Sequence, residues 1–265
     1  MGSEKKEKRS KSGRLTRNEN PNPKRMRIPL GPNRITAKKK KAKTKTSDKN
    51  NSSLGLATAA EQLSFFVDQY QSANGVQLSV LELESIKPDK SILELSQGMD
   101  QSASNLSEHM KAAFGSSWKE VLCEKQLVEG KIDPGSPGLL VIGLSALRSL
   151  ELLRSLRDLT TECHAAKLFS KHMKIEEQVA ILKNRVNIAC GTPSRIKKLI
   201  DVEALELSRL AVVVLDMHTD VKGYSLFTLP QVRDEFWDLY KCYFHPRLLQ
   251  GDLCICLYGP IPISS

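Results

Sequence analysis

A chain of 265 residues, 40% of them apolar, is long enough for one substantial core with extensions. Its net charge of +10 is uneven: residues 1–50 hold 18 Lys/Arg against 4 Asp/Glu, and the remainder holds 22 against 26. No apolar run nears the roughly 20 residues that span a bilayer, and the Lys-rich start has no apolar signal core. The expectation is therefore a soluble intracellular protein with no membrane partner, whose six cysteines are reduced thiols.

Residues 1–53 are rich in Lys, Ser and Asn, carry prolines at 21, 23, 29 and 32, and have few large apolar residues. Such a segment cannot bury a core and is expected to be a disordered basic tail. Its clusters PKRMR (23–27) and KKKKAKTK (38–45) suit nuclear import or an RNA-binding arm, with Lys38, Lys39, Lys40 and Lys41 as backbone contacts. The plain alternative is a tail that only keeps the protein soluble.

Residues 54–135 are expected to form a helical extension. Leu56, Leu63, Phe66, Val67 and Tyr70 have helical spacing over 54–70. Residues 78–83 alternate apolar and polar, which predicts a strand or a docked extended segment. Leu106, Met110, Phe114, Trp118 and Leu122 predict a helix over 106–123 that Gly115-Ser-Ser interrupts, and residues 130–138 form a turn-rich hinge.

Over 136–265 the pattern becomes regular. Strands at 139–144, 165–169, 186–190, 211–215 and 253–257 alternate with helices at 146–159, 175–183, 193–200 and 232–243. In the first of these helices Leu147, Leu150, Leu153 and Leu156 are the expected apolar contacts. This alternation implies right-handed crossovers, and the fold class is α/β, a mainly parallel sheet with helices on both faces.

The most informative stretch is 205–220, LELSRLAVVVLDMHTD. A buried strand ending on an acid, Asp216, is the pattern by which P-loop NTPases help hold Mg²⁺, and Asp216 is expected to stay solvated at the strand's carboxyl end. Gly191-Thr-Pro-Ser-Arg195 follows another strand and opens a helix. Thr192 suits an N-cap and Pro193 the first helical position. Arg195, one turn in, stands where a helix N-terminus binds phosphate, and Ser194, Lys197 and Lys198 of the same helix are further candidate RNA contacts.

These boxes resemble those of DEAD-box RNA helicases. Gly191-Thr-Pro-Ser-Arg195 is similar to their TPGR box, which contacts the RNA backbone. Val214-Leu215-Asp216 resembles the start of VLDEAD, and Ser145-Ala-Leu-Arg-Ser-Leu150 stands where PTRELA stands, with Arg148 at its Arg. With the basic tail and the segment KLFSKHMKIEEQ (167–178), the chain resembles the Cms-one family of helicase-like proteins. That resemblance implies a single RecA-like domain acting in the small-subunit processome in the nucleolus. The departures are as specific: Met217 replaces the Glu of DEAD, Ser194 replaces the Gly of TPGR, and no G-x-x-x-x-G-K-[ST] occurs.

The combined expectation is a non-catalytic degenerate helicase domain without a cofactor, a monomer within a large complex of pre-ribosomal RNA and assembly proteins. Its RNA contacts would be the tail lysines with Arg148, Thr192, Pro193, Ser194, Arg195, Lys197 and Lys198, and Asp216 would be a degenerate Walker B acid. A residual RNA-dependent ATPase and a pure protein-interaction adaptor are the alternatives. Cys242 and His245 with Cys254 and Cys256 have spacing that could serve zinc, but a Cys-x-Cys inside a strand fits a core better. His164, His172 and His218 lack a Ser or Cys partner at a triad spacing. Phe227, Phe236, Trp237, Tyr240, Tyr243 and Phe244 are expected to pack in the core rather than to stack on bases.

Overall fold

A computed structural model describes Leu30, residues 57–124 and residues 134–262. The clusters at 23–27 and 38–45, and residues 130–133 of the hinge, lie outside the described residues. Five strands, β1 (Leu139–Ile142), β2 (Ala166–Leu168), β3 (Ile188–Gly191), β4 (Val212–Asp216) and β5 (Cys254–Tyr258), form one sheet in the order β2-β3-β1-β4-β5. Every pairing is parallel. This is the α/β sheet that the alternating pattern implied.

Successive strand residues point to opposite faces, and both faces are dry. Leu140, Ile142, Ala189, Val213, Leu215, Ile255 and Leu257 share one core with α1 (Ala59–Asn74), α7 (Pro193–Asp201) and α8 (Pro230–Leu239). Leu139, Val141, Ile188, Cys190, Val212, Val214, Cys256 and Tyr258 share the other with α4 (Leu106–Phe114) and α5 (Ala146–Ser155). A strand buried on both faces needs a continuous apolar run, which is why the strands read as blocks rather than alternations. The stretch expected as a helical extension thus supplies a layer to each face. α1 brings Phe66 and Tyr70 against Trp237 and Tyr240, and Phe66 against Phe227 as well, so the aromatic cluster is core.

Local chemistry sets the ends of the elements. Thr58 opens α1 with a capping box, its hydroxyl accepting the Glu61 N–H and its own N–H donating to the Glu61 carboxylate. The same device overturns the strand expected at 78–83. Ser79 and Glu82 cap each other, and Val80–Ser85 forms a short helix, α2. A single turn, α3 (Pro88–Ser91), follows. Gly115 ends α4 as expected, and a 3-10 turn and a π turn carry the chain to Cys123. In α5 the leucine stripe is only partly displaced: Leu153 and Leu156 pack in the core as expected, but Leu147 is 68% exposed and Ser149 and Leu152 are the buried residues within the helix. Helix α6 (Ile175–Leu182) follows β2, and α9 (His245–Leu249) follows a π turn after α8. Among the described residues no helix is long and apolar enough to cross a membrane.

Candidate functional site

In the sheet register Ile142 of β1 lies level with Gly191 of β3 and Leu215 of β4. The three strands that lead into the helicase-like boxes therefore end at one height. β1 is also where the strand order reverses, and open parallel sheets bind ligands outside such a point.

At the β1–β4 junction the boxes meet each other. Ser145 caps α5, its hydroxyl accepting the Arg148 N–H at 3.3 Å, and this turns Arg148 toward β4. The Arg148 guanidinium donates from Nε to Asp216 Oδ2 at 2.8 Å and from Nη2 to Oδ1 at 3.0 Å, and Nη1 pairs with Glu151 at 2.9 Å. His218 Nδ1 lies 2.9 Å from Asp216 Oδ1, where its N–H donates to the carboxylate. The Asp216 side chain is 0% exposed. Burial pushes its pKa up, but hydrogen bonds from His218 and Arg148 outweigh burial and hold it below the usual value. The Arg148 pKa is raised, first by its hydrogen bond to Asp216.

Two expectations are corrected here. Asp216 is not a solvated acid at the strand end but a buried one, because α5 delivers a counter-charge to it. Arg148 is not an open phosphate contact, because its fork is closed on two carboxylates. Nor do these residues suit a magnesium ion. Both oxygens of Asp216 are occupied, a fixed cation stands against them, and Met217, 4% exposed, packs into the core.

The β3 box is arranged differently. An added Cβ at Gly191 would lie 1.9 Å from the Leu168 carbonyl oxygen, so Gly191 is required by the close approach of β2. Thr192 occupies the N-cap position, but its side chain makes no cap hydrogen bond, which corrects the expected cap. Pro193 is buried at the start of α7, where its missing N–H leaves nothing unsatisfied. Ser194 and Lys198 are exposed. Arg195 donates to Gln178 Oε1 at 2.9 Å, and Gln178 donates in turn to the Lys167 and Phe169 carbonyls. Lys197 is drawn to the far side, pairing with Asp201 at 3.1 Å and Asp238 at 3.5 Å. Thr192, Ser194 and Arg195 thus remain as a polar amino-terminal end of α7, with exposed Lys198 in its last turn.

Sequence reasoning missed the neighbouring wall. A cleft of 620 Å³ is lined by residues 97–102 together with His218, Gly259 and Ile261, among others. Gly259 has φ +122°, and an added Cβ there would come within 2.7 Å of His218 Nδ1, so only glycine admits the imidazole. The signal present in the sequence was Asp-x-His at the end of a strand. The zinc spacing has a structural account: Cys256 is buried in the sheet, Cys254 donates to the Lys90 carbonyl and His245 bonds Tyr240. Among the described residues no group of three or more His, Cys, Asp or Glu could hold a metal.

A five-stranded parallel sheet with helices on both faces, box-bearing strand ends and a sealed acid defines an α/β domain of the open parallel-sheet class. Residues 3–258 match the family described as "CMS1: U3-containing 90S pre-ribosomal complex subunit", and the chain belongs to that family. It is 28% identical over 223 residues to Protein CMSS1 of Xenopus laevis, covering 82% of this chain and 80% of that one. It is 32% identical over 186 residues to Protein CMSS1 of Homo sapiens, covering 68% and 61%. A third relative, Protein CMS1 of Chaetomium thermophilum, is 40% identical over 106 residues, covering 39% and 42%. Among solved structures, a DEAD box protein from Methanococcus jannaschii matches at TM-score 0.38 and 13% identity, covering 74% of this chain and 47% of that one. Dbp5 of S. cerevisiae matches at TM-score 0.34 and 15% identity, covering 79% and 46%. The chain spans a little under half the length of both.

Proposed function

We propose that this protein is a non-catalytic RNA-binding scaffold of nucleolar small-subunit ribosome assembly. The observation that carries the non-catalytic half is the Arg148–Asp216 pair, which closes the strand end where an NTPase keeps its cation. Phosphoryl transfer depends on placing and neutralising the β- and γ-phosphates, and a sealed acid contributes to neither. The RNA half rests on charge. The tail carries the whole positive excess, and α7 carries Thr192, Ser194 and Arg195 at its start and exposed Lys198 in its last turn. The tail would supply salt-sensitive, sequence-independent affinity and carry the protein into the nucleus, and α7 would fix the orientation of the backbone. The body would meet other assembly proteins, and α2 exposes Val80, Leu81 and Leu83 at 69%, 78% and 41%.

Three measurements test this reading. Deleting residues 1–50 should remove most RNA affinity and nucleolar accumulation. The parent's affinity should fall with salt at a slope of about −0.7 per neutralised phosphate. Crosslinking in cells should place pre-ribosomal RNA on residues 192–198 as well as on the tail. Crosslinks confined to the tail would leave only a protein-interaction adaptor with an import signal.

A further inference from the structure

The segment ahead of α4 shows what became of the crevice beside Asp216. The Leu93 N–H donates to the Ile255 carbonyl at 2.8 Å, and Ile92 pairs in parallel with Ile255. Residues 92–93 therefore run along the outer edge of β5. The chain then passes along the cleft at 97–102, and a 3-10 turn, Ala103–Asn105, leads into α4. A parallel edge segment, a loop beside the carboxyl ends of the strands and a helix is the connectivity that carries G-x-x-x-x-G-K-[ST] in P-loop NTPases. Backbone N–H groups and a lysine there cradle the phosphates.

This loop reads Ser96-Gln97-Gly98-Met99-Asp100-Gln101-Ser102. It has one glycine and no lysine, and its centre is a carboxylate. The Ser102 N–H and the Asn105 side-chain amide donate to Asp100 Oδ1 at 3.1 and 2.6 Å. Hydrogen bonds from Ser102 lower the Asp100 pKa, so it is ionised at neutral pH. Gln101 accepts the Gly259 N–H at 2.6 Å, which ties the loop to the end of β5. No lysine or arginine is among the residues lining the cleft. A triphosphate entering it would meet an anion first and find no metal seat behind.

We propose that this chain carries a charge-inverted nucleotide crevice. Arg148 stands against Asp216 where the fold would keep a divalent cation, and Asp100 stands in the loop that would present the phosphate-binding lysine. The site is neutralised from within, and it rejects Mg²⁺–nucleoside triphosphates by charge rather than by a missing loop. The inference concerns the crevice, not the tail or α7, so its failure would leave the RNA reading standing and the loss of RNA binding would leave it untouched.

The test uses the full-length protein with Mg·ATP and a fluorescent ATP analogue. The parent's melting temperature should not move with millimolar Mg·ATP, and the analogue should not bind. Arg148→Met leaves a buried carboxylate without its cation and should melt about 10 °C lower. Arg148→Lys, which keeps the charge but loses the fork, should recover part of that shift. Asp100 is exposed, so Asp100→Lys loses only loop hydrogen bonds, should stay folded, and should bind the analogue saturably where the parent shows no binding. Saturable stabilisation of the parent by Mg·ATP would overturn the proposal. So would an Arg148→Lys protein no more stable than Arg148→Met, or an Asp100→Lys protein as blind to ATP as the parent. If Arg148→Met fails to fold, the parent titration and Asp100→Lys still decide.

Discussion

The ends of β4 and β3 lie on one edge of one sheet, each carries a box of the helicase pattern, and they have opposite fates. At β4 the acid is sealed: Asp216 is fully buried between Arg148 and His218, and Met217 continues into the core. At β3 the box stays open, because the Thr192 hydroxyl makes no cap bond and Ser194 and Lys198 face solvent. The difference lies in what the neighbouring elements deliver. β1 leads into α5, whose first turn brings a guanidinium to Asp216. β2 leads into α6, which offers Arg195 only the neutral amide of Gln178. A polar group at a strand end stays available when no adjacent helix supplies its counter-charge.

The sharpest way to break this contrast is Met217→Glu, which restores the second acid of the helicase box. Met217 belongs to a packed core cluster, and its N–H donates to the Tyr258 carbonyl at 2.8 Å. A carboxylate forced into that space should cost about 4 kcal/mol at neutral pH. Burial would raise its pKa in the folded state, so the folded protein would hold a proton that the unfolded chain releases. The stability loss should therefore grow from pH 5 to pH 8. Urea melts at the two pH values check this. A variant as stable as the parent at pH 8 would mean that the β4 end opens as readily as the β3 end.

A smaller effect belongs to Asp216 itself. Its folded pKa lies below the ordinary value of 3.8, so its contribution is fully present above that pH and fades as the pH falls through the folded pKa. Asp216→Asn should cost about 3 kcal/mol near neutrality, since Arg148 loses its charged partner. It should also flatten the acid limb: below about pH 4 the gap between parent and variant should narrow. Denaturant melts across the acid range measure that gap, and a constant gap would assign the loss to shape rather than charge.

Much of this was legible in the sequence. A strand dry on both faces must be a short, continuous apolar block, and 211–215 announced itself that way. The TPGR-like box was legible too, since Gly191 must be glycine wherever β2 approaches so closely. What was not legible depends on partners far apart in the chain. The pairing of Arg148 with Asp216 spans 68 residues and follows from a parallel register no local pattern encodes. The edge segment at 92–93 is held to β5 by few contacts, too few to show as a strand signal. At 78–83 alternation misled, because Ser79 and Glu82 close a helical turn with local hydrogen bonds and no sheet edge competes for the segment.

The smallest predicted effects separate capping from contact at α7. A working threonine cap is worth about 1 kcal/mol, but Thr192 makes no such bond, so Thr192→Ala should change stability by less than about 0.5 kcal/mol. Arg195→Ala removes one hydrogen bond to Gln178, whose links to the Lys167 and Phe169 carbonyls remain, and should cost about 0.5–1 kcal/mol. RNA binding should rank the two in the same order for a different reason. Arg195 at a helix N-terminus can give a charge-assisted bond to phosphate, and its loss should weaken binding and lower the salt slope by about 0.7. Thr192→Ala removes a neutral hydroxyl and should leave that slope unchanged. Thermal melts with binding isotherms at several salt concentrations, on both variants in the full-length chain, measure all four quantities. If Arg195→Ala binds RNA with the parent's slope while melting early, the bond to Gln178 is its whole role and the open strand end at β3 contacts no phosphate.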